Sequence, residues 1–177
     1  MTTQGVRVLG LDPGLRRTGW GLVVSDGNRL SHIANGSVAS DSSLELAPRL
    51  VQLFERLSEV VDRLEPDQAG IEETFVSRNP ASTLKLGQAR GVVMLVPALL
   101  GIPVAEYAPN QIKKSVVGTG HAAKQQIHAM VQVLLPGVTI KNSDAADALA
   151  VAICHVHHAF SGQARARAAS ALGGRAS

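Results

Sequence analysis

The chain has 177 residues, 45% hydrophobic and 18% charged, which suits one globular domain whose core needs no disulfides. Its single cysteine, Cys154, excludes an internal disulfide and fits a reducing compartment, where its expected role is a small buried hydrophobe. The net charge of +3 sits in the tail: residues 161–177 carry Arg165, Arg167 and Arg175 without an acid, leaving 14 basic residues against 14 acidic ones elsewhere.

Met1-Thr2-Thr3-Gln4 has neither the basic nor the apolar region of a secretory signal. The longest apolar run, Gly91 to Ala105, contains Pro97 and Pro103 and is too short to span a bilayer comfortably. A cytoplasmic protein with no membrane association is expected. If several acids gather at one place, the remaining surface is more basic than the sum suggests, which suits a polyanionic partner.

Val6 to Leu11 reads as a first strand, rich in Val and Leu, running into Asp12-Pro13-Gly14. That tripeptide has the composition of a β-turn, but a carboxylate closing a buried strand also calls for a compensating charge. Thr18–Ser25 and Arg29–Ala39 predict two more strands around Asp26-Gly27-Asn28, together an antiparallel meander. Leu50, Leu53, Phe54, Leu57, Val60, Val61 and Leu64 then repeat at helical spacing up to Pro66. Gln68–Glu73 predicts a fourth strand.

Asn79-Pro80 opens a second helix, which Pro97 is expected to kink or end early. Pro103–Tyr107 predicts a fifth strand and Pro109–Val117 a short helix. Gly118-Thr119-Gly120 breaks the chain without the Gly-Lys-Ser/Thr ending of a nucleotide-binding P-loop. Ile127, Met130, Val131 and Leu134 mark a further helix stopped by Pro136. Ser143 is the expected N-cap of a last helix, Asp144 to about Ala159. The Gly, Ala, Arg and Ser composition of 161–177 predicts a disordered basic tail after a domain spanning 1–160. A meander followed by alternating strands and helices predicts an α/β fold, a mixed sheet of about five strands flanked by helices.

The last helix is apolar almost all round, so it should be buried. Asp144 and Asp147, three apart, share a face, and the surrounding alanines allow the helix to sit close to a sheet. Acids in a first turn also favour the helix dipole and need no other reason. In the fourth strand Glu72 and Glu73 point to opposite faces, so one of them can turn towards Asp12. The six histidines are scattered; His155, His157 and His158 cluster without ligand spacing, and no role is assigned to them.

Five motifs therefore stand in order: GLDPG, IEETF, LKLGQARG, VVGTG and DAADALA. Together they resemble the RuvC family of bacterial Holliday-junction resolvases, over about Val6 to Phe160. The resemblance implies an RNase H-like fold, a homodimer, and an Mg²⁺-dependent endonuclease that makes paired symmetric nicks in a four-way DNA junction. It further implies the RuvA and RuvB proteins as partners. By matching motifs, Asp12, Glu72, Asp144 and Asp147 take the positions of the family's catalytic carboxylates, which also decides between Glu72 and Glu73.

Such a site would hold two Mg²⁺ ions about 3.5–4 Å apart, with Mn²⁺ as a substitute. Asp12 is expected to bridge them, with Glu72 on one side and Asp144 and Asp147 on the other. Their mutual repulsion predicts that Mg²⁺ stabilises the protein and that Asp147→Asn stabilises the metal-free form. Lys113 and Lys124 match the family's active-site lysines, and Lys114 is a neighbouring candidate. Phe75 is expected to stack on a base, and Lys85, Arg90, Arg78, Arg16 and Arg17 to lie along the DNA. Two other readings fit parts of the pattern: an inactive junction-binding protein, and an actin-like or sugar-kinase ATPase domain, which shares an acid and glycine on its opening strand.

Overall fold

The structure, a computed structural model, describes residues 5–27, 29–73 and 79–173, with side chains described through Ala159. Alternation along the strands decides which residues meet. On β1 (Val6–Asp12), Val8, Gly10 and Asp12 face one side of the sheet, and Leu9 and Leu11 the other. β2 (Arg17–Asp26) and β3 (Arg29–Ala39) follow as the expected antiparallel meander. β4 (Gln68–Glu72) pairs parallel to β1 on its other side, and β5 (Val104–Tyr107) pairs parallel to β4. The strand order is β3-β2-β1-β4-β5, so β1 is central.

One face carries α1 (Leu46–Leu64) and α2 (Pro80–Leu99), packed over Leu9, Leu11, Leu22, Ala69 and Ile71. The other carries α3 (Pro109–Val117), α4 (Lys124–Leu134) and α5 (Ser143–Gly173), packed over Val8 and Val23. Among the described residues no helix is long and apolar enough to cross a membrane.

Local chemistry sets the helix ends. At the end of α1, Glu65 takes a left-handed φ of 42°, and the Arg7 guanidinium donates to the Leu64 carbonyl at 2.6 Å and to the Glu65 carbonyl at 3.1 Å. Asn79 caps α2, its Oδ1 accepting from the Ala81 and Ser82 amides. Pro97 lies in the last turn of α2, which runs on to Leu99. At α3 and α4, Gln111 and Gln126 reach back to accept from the Ala108 and Ala123 amides at 2.9 and 2.8 Å.

The last helix departs from expectation at both ends. Its cap is Asn142, not Ser143: Asn142 Oδ1 accepts from the Ala145 amide at 2.9 Å. The Asn142 side chain also donates to Ser37 Oγ on β3 at 3.0 Å, tying the start of the helix to the sheet. Asn35 of β3 ties the same loop, donating to the Thr139 carbonyl and accepting from the Lys141 amide. At the other end the α5 backbone continues past Ala159 to Gly173. Alanine and arginine, frequent after Gln163, are among the strongest helix formers.

α5 lies against the sheet with almost no separation. A Cβ at Gly10 would stand 1.9 Å from the Ala148 carbonyl oxygen, and one at Gly19 would stand 2.0 Å from that of Asp144. Glycine in the strands and alanine in the helix make this approach sterically possible. The residues behind it are inert. Cys154 is buried, its thiol pushed up to about 11 by burial. His155 is satisfied: Nε2 donates to Gln68 Oε1 at 2.7 Å and Nδ1 accepts from the Tyr107 hydroxyl at 3.0 Å.

Gly10→Ala should therefore lower stability by roughly 1–3 kcal/mol, because backbone rather than a flexible side chain opposes the new methyl. Gly87→Ala, on α2 with nothing within 4 Å of the added carbon, should raise it by roughly 0.5–1 kcal/mol. Urea midpoints check both, and unchanged stability in Gly10→Ala would contradict the close approach.

Candidate active site

Parallel pairing of Leu11 with Ile71 brings the ends of β1 and β4 together, so Asp12 and Glu72 stand side by side. Both belong to the face that α5 covers. Burial there pushes the Asp12 carboxyl up to about 8, and the nearby negative charges of Glu72, Asp147 and Asp144 push the same way. Near neutrality its O–H therefore remains and donates to the Glu72 carboxylate. Glu72 is also raised, chiefly by burial and then by Asp147, while the bond from Asp12, Lys124 and Lys113 pull it down.

α5 delivers the remaining acids. Asp147 shares a cavity of about 230 Å³ with Asp12, Glu72, Lys113 and Lys124. Lys124 Nζ lies 2.5 Å from Asp147 Oδ2, and His128 Nε2 lies 2.8 Å from Oδ1. The bond to Asp147 holds the Lys124 ammonium above its ordinary value. Asp144, one turn earlier, borders a separate hollow formed with Gly14, Leu15, Arg16 and Arg17. Its Oδ2 lies 3.6 Å from the Arg17 guanidinium. Cations of the chain thus occupy part of the acidic cluster. Among the described residues no three His, Cys, Asp or Glu side chains converge closely enough to grip an ion as they stand.

The other anticipated residues divide. Lys113 faces the carboxylates, whereas Lys114 borders a different hollow with Gln111, Ser115, His157 and His158. Lys85 is exposed on α2. Arg90 is engaged within the fold: Nε donates to the Glu72 carbonyl at 3.3 Å, and the guanidinium pairs with Glu106 on β5. It thereby steadies the strand end that carries Glu72. Phe75 and Arg78 lie outside the described residues. His128 is the functional candidate that sequence reasoning passed over. Its signal was the spacing to Lys124, four residues away on one helix face.

A family model, Crossover junction endodeoxyribonuclease RuvC, matches residues 8–155. The chain belongs to the RuvC family. A crossover junction endodeoxyribonuclease RuvC from Paramagnetospirillum magneticum is 60% identical over 163 residues, covering 92% of this chain and 98% of that relative. The RuvC of Rhizobium johnstonii is 55% identical over 160 residues, covering 90% and 95%. Among solved structures, Thermus thermophilus RuvC in complex with a Holliday junction substrate superposes with a TM-score of 0.82. It is 32% identical, covering 89% of this chain and 96% of that one. The mixed five-stranded sheet and its helices are accordingly the RNase H-like fold of RuvC.

The electrostatics relocate the acid whose removal should stabilise the metal-free protein. Asp147 has two hydrogen-bonding partners, one of them an ammonium, so Asp147→Asn loses favourable interactions. Asp12 is the carboxyl held against its charge. Its folded pKa exceeds the ordinary 3.8, so the folded state takes up a proton there and ionising Asp12 costs stability as pH rises towards 8. Asp12→Asn should therefore be more stable than wild type at pH 8 and above, where the wild-type carboxyl is forced to ionise. The gain should shrink as pH falls and vanish near 3.8, which chelator-treated samples melted across that range will check.

Proposed function

We propose that this RuvC-family protein is a nuclease that resolves Holliday junctions by paired symmetric nicks in homologous recombination and DNA repair. The observation that carries this reading is the buried acidic cluster: Asp12, Glu72 and Asp147 share one cavity with Lys113 and Lys124, and Asp144 adds its field at Asp12. A family member, from Thermus thermophilus, is described in complex with a Holliday junction substrate.

The donor set fits a hard divalent cation, being all carboxylate oxygen with more negative charge than burial tolerates at Asp12. We assign the holding of two Mg²⁺ ions, with Mn²⁺ as substitute, to Asp12, Glu72, Asp144 and Asp147. When bound, such ions activate a water for in-line attack on the phosphodiester and stabilise the departing 3′ oxygen, leaving a 5′-phosphate. Asp12 has to release its proton to become a ligand. Asp144 and Asp147 have to loosen their contacts with Arg17 and Lys124. Freed from the carboxylate, the Lys124 ammonium is available, with Lys113, to the charge that develops on the phosphate.

We assign Lys85, Lys113, Lys114, Lys124 and Arg78 to contacts with the DNA backbone, and Phe75 to stacking on a base, worth roughly 1–3 kcal/mol. Arg90 serves these contacts by holding the end of β4. A homodimer would set two such sites on a junction of matching two-fold symmetry, in the cytoplasm and together with RuvA and RuvB. Residues 161–177 would add salt-sensitive, sequence-independent affinity through their arginines.

A synthetic four-way junction and a linear duplex, incubated in Mg²⁺ with wild type and Asp12→Asn, test the reading. Paired, religatable nicks in the junction alone, lost in the variant while binding persists, are expected. Junction binding by wild type without cleavage in Mg²⁺ or Mn²⁺ would leave an inactive binder. Mg²⁺ should also raise the melting temperature, more at pH 8 than at pH 6, because Asp12 gives up its proton more readily there. Equal shifts at both values would separate Asp12 from the metal.

A further inference from the structure

Asp147 is held by two side chains that differ in how firmly they can hold it. Lys124 reaches Oδ2 at 2.5 Å through a long flexible stem and is 57% exposed. His128 reaches Oδ1 at 2.8 Å through a short ring that is 26% exposed. Both project from α4, four residues apart on one face, and the Gln126 carboxamide fixes the first turn of that helix. A carboxylate paired to an ammonium only accepts, so the hydrogen of the second contact is on His128 Nε2.

Lys124 also has somewhere to go. It borders the 230 Å³ cavity of the carboxylates and also a larger groove of about 690 Å³, lined further by Gln125, His128, Gln132, Asn142 and Ser143. His128 lines the groove but not the catalytic cavity, and among the described residues it meets the acidic cluster through Asp147.

We infer that His128 is the positioning residue of this active site, fixing Asp147 Oδ1 while Lys124 yields Oδ2 to the incoming divalent cation. The two contacts, alike in distance, then have opposite consequences. Lys124 competes with the cation for an oxygen. His128 holds the carboxylate in the orientation in which that oxygen is offered, as outer hydrogen bonds do for metal ligands generally. This rests on the assignment of Asp147 as a metal ligand above.

Mn²⁺ titration calorimetry on full-length wild type, Asp147→Asn, His128→Ala, His128→Gln and Lys124→Ala tests it, alongside junction binding in chelator and steady-state cleavage. His128→Ala should weaken Mn²⁺ binding about tenfold and lower kcat, with KM and metal-free junction affinity unchanged. His128→Gln, which offers an N–H near the Nε2 position, should restore most of both. Lys124→Ala should bind Mn²⁺ more tightly than wild type although it cleaves poorly. The inference is overturned if His128→Ala keeps wild-type Mn²⁺ affinity and kcat, or if both alanine variants tighten Mn²⁺ binding. It is also overturned if His128→Ala instead weakens metal-free junction binding, which would make His128 a DNA contact. Loss of Mn²⁺ binding in Asp147→Asn shows the ligand assignment itself to be sound. Mn²⁺ binding absent in wild type, or unchanged in Asp147→Asn, would remove that assignment and this inference with it.

Discussion

The contact between α5 and the central strands is the constraint on which the rest depends. The helix carbonyl oxygens of Asp144 and Ala148 lie only 2.0 and 1.9 Å from where a Cβ of Gly19 or Gly10 would stand. That approach carries Asp144 and Asp147 down to the strand end bearing Asp12. It also removes the water that would otherwise solvate the Asp12 carboxyl. One packing fact therefore gathers the acids and raises the cost of their charge.

The protein meets that cost in two ways. Asp12 keeps its proton and gives a hydrogen bond to Glu72. Asp144 and Asp147, closer to the surface, take cationic or N–H partners from Arg17, Lys124 and His128. These arrangements are unequal in strength. Partly exposed ion pairs contribute little net stability and exchange readily, whereas a buried carboxyl held neutral records a real deficit of counter-charge. A site organised this way stands ready for divalent ions without collapsing in their absence. The anchors at Asn35 and Asn142 matter for the same reason, since they fix where α5 begins against β3.

Much of this was legible in the sequence. An acid closing an apolar strand marked Asp12, two-residue alternation set Glu72 and Glu73 on opposite faces, three-residue spacing paired Asp144 with Asp147, and alanines announced a helix close to a sheet. The order of strands and helices carried the fold class. What escaped was pairing across the fold. Nothing local distinguishes Asn142 from Ser143 as a cap until Ser37 is seen beneath it. Arg90 was expected along the DNA, because nothing near it on its own helix points to Glu106 on β5. His128 was passed over among scattered histidines, when its meaning lay in the helix face shared with Lys124 and in an acid 19 positions away. The end of α5 escaped for another reason: composition suggested a tail, while the helix propensity of its alanines and arginines pointed the other way.

The central claim is that close packing of α5 on β1 and β2 builds a site for divalent cations around Asp12. The most direct measurement is anomalous diffraction from crystals of the protein soaked in Mn²⁺. Peaks are expected within coordination distance of Asp12, flanked by Glu72, Asp144 and Asp147, with Lys124 withdrawn from Asp147. Peaks elsewhere on the chain, or a fully ordered acidic cluster without one at saturating Mn²⁺, would contradict it.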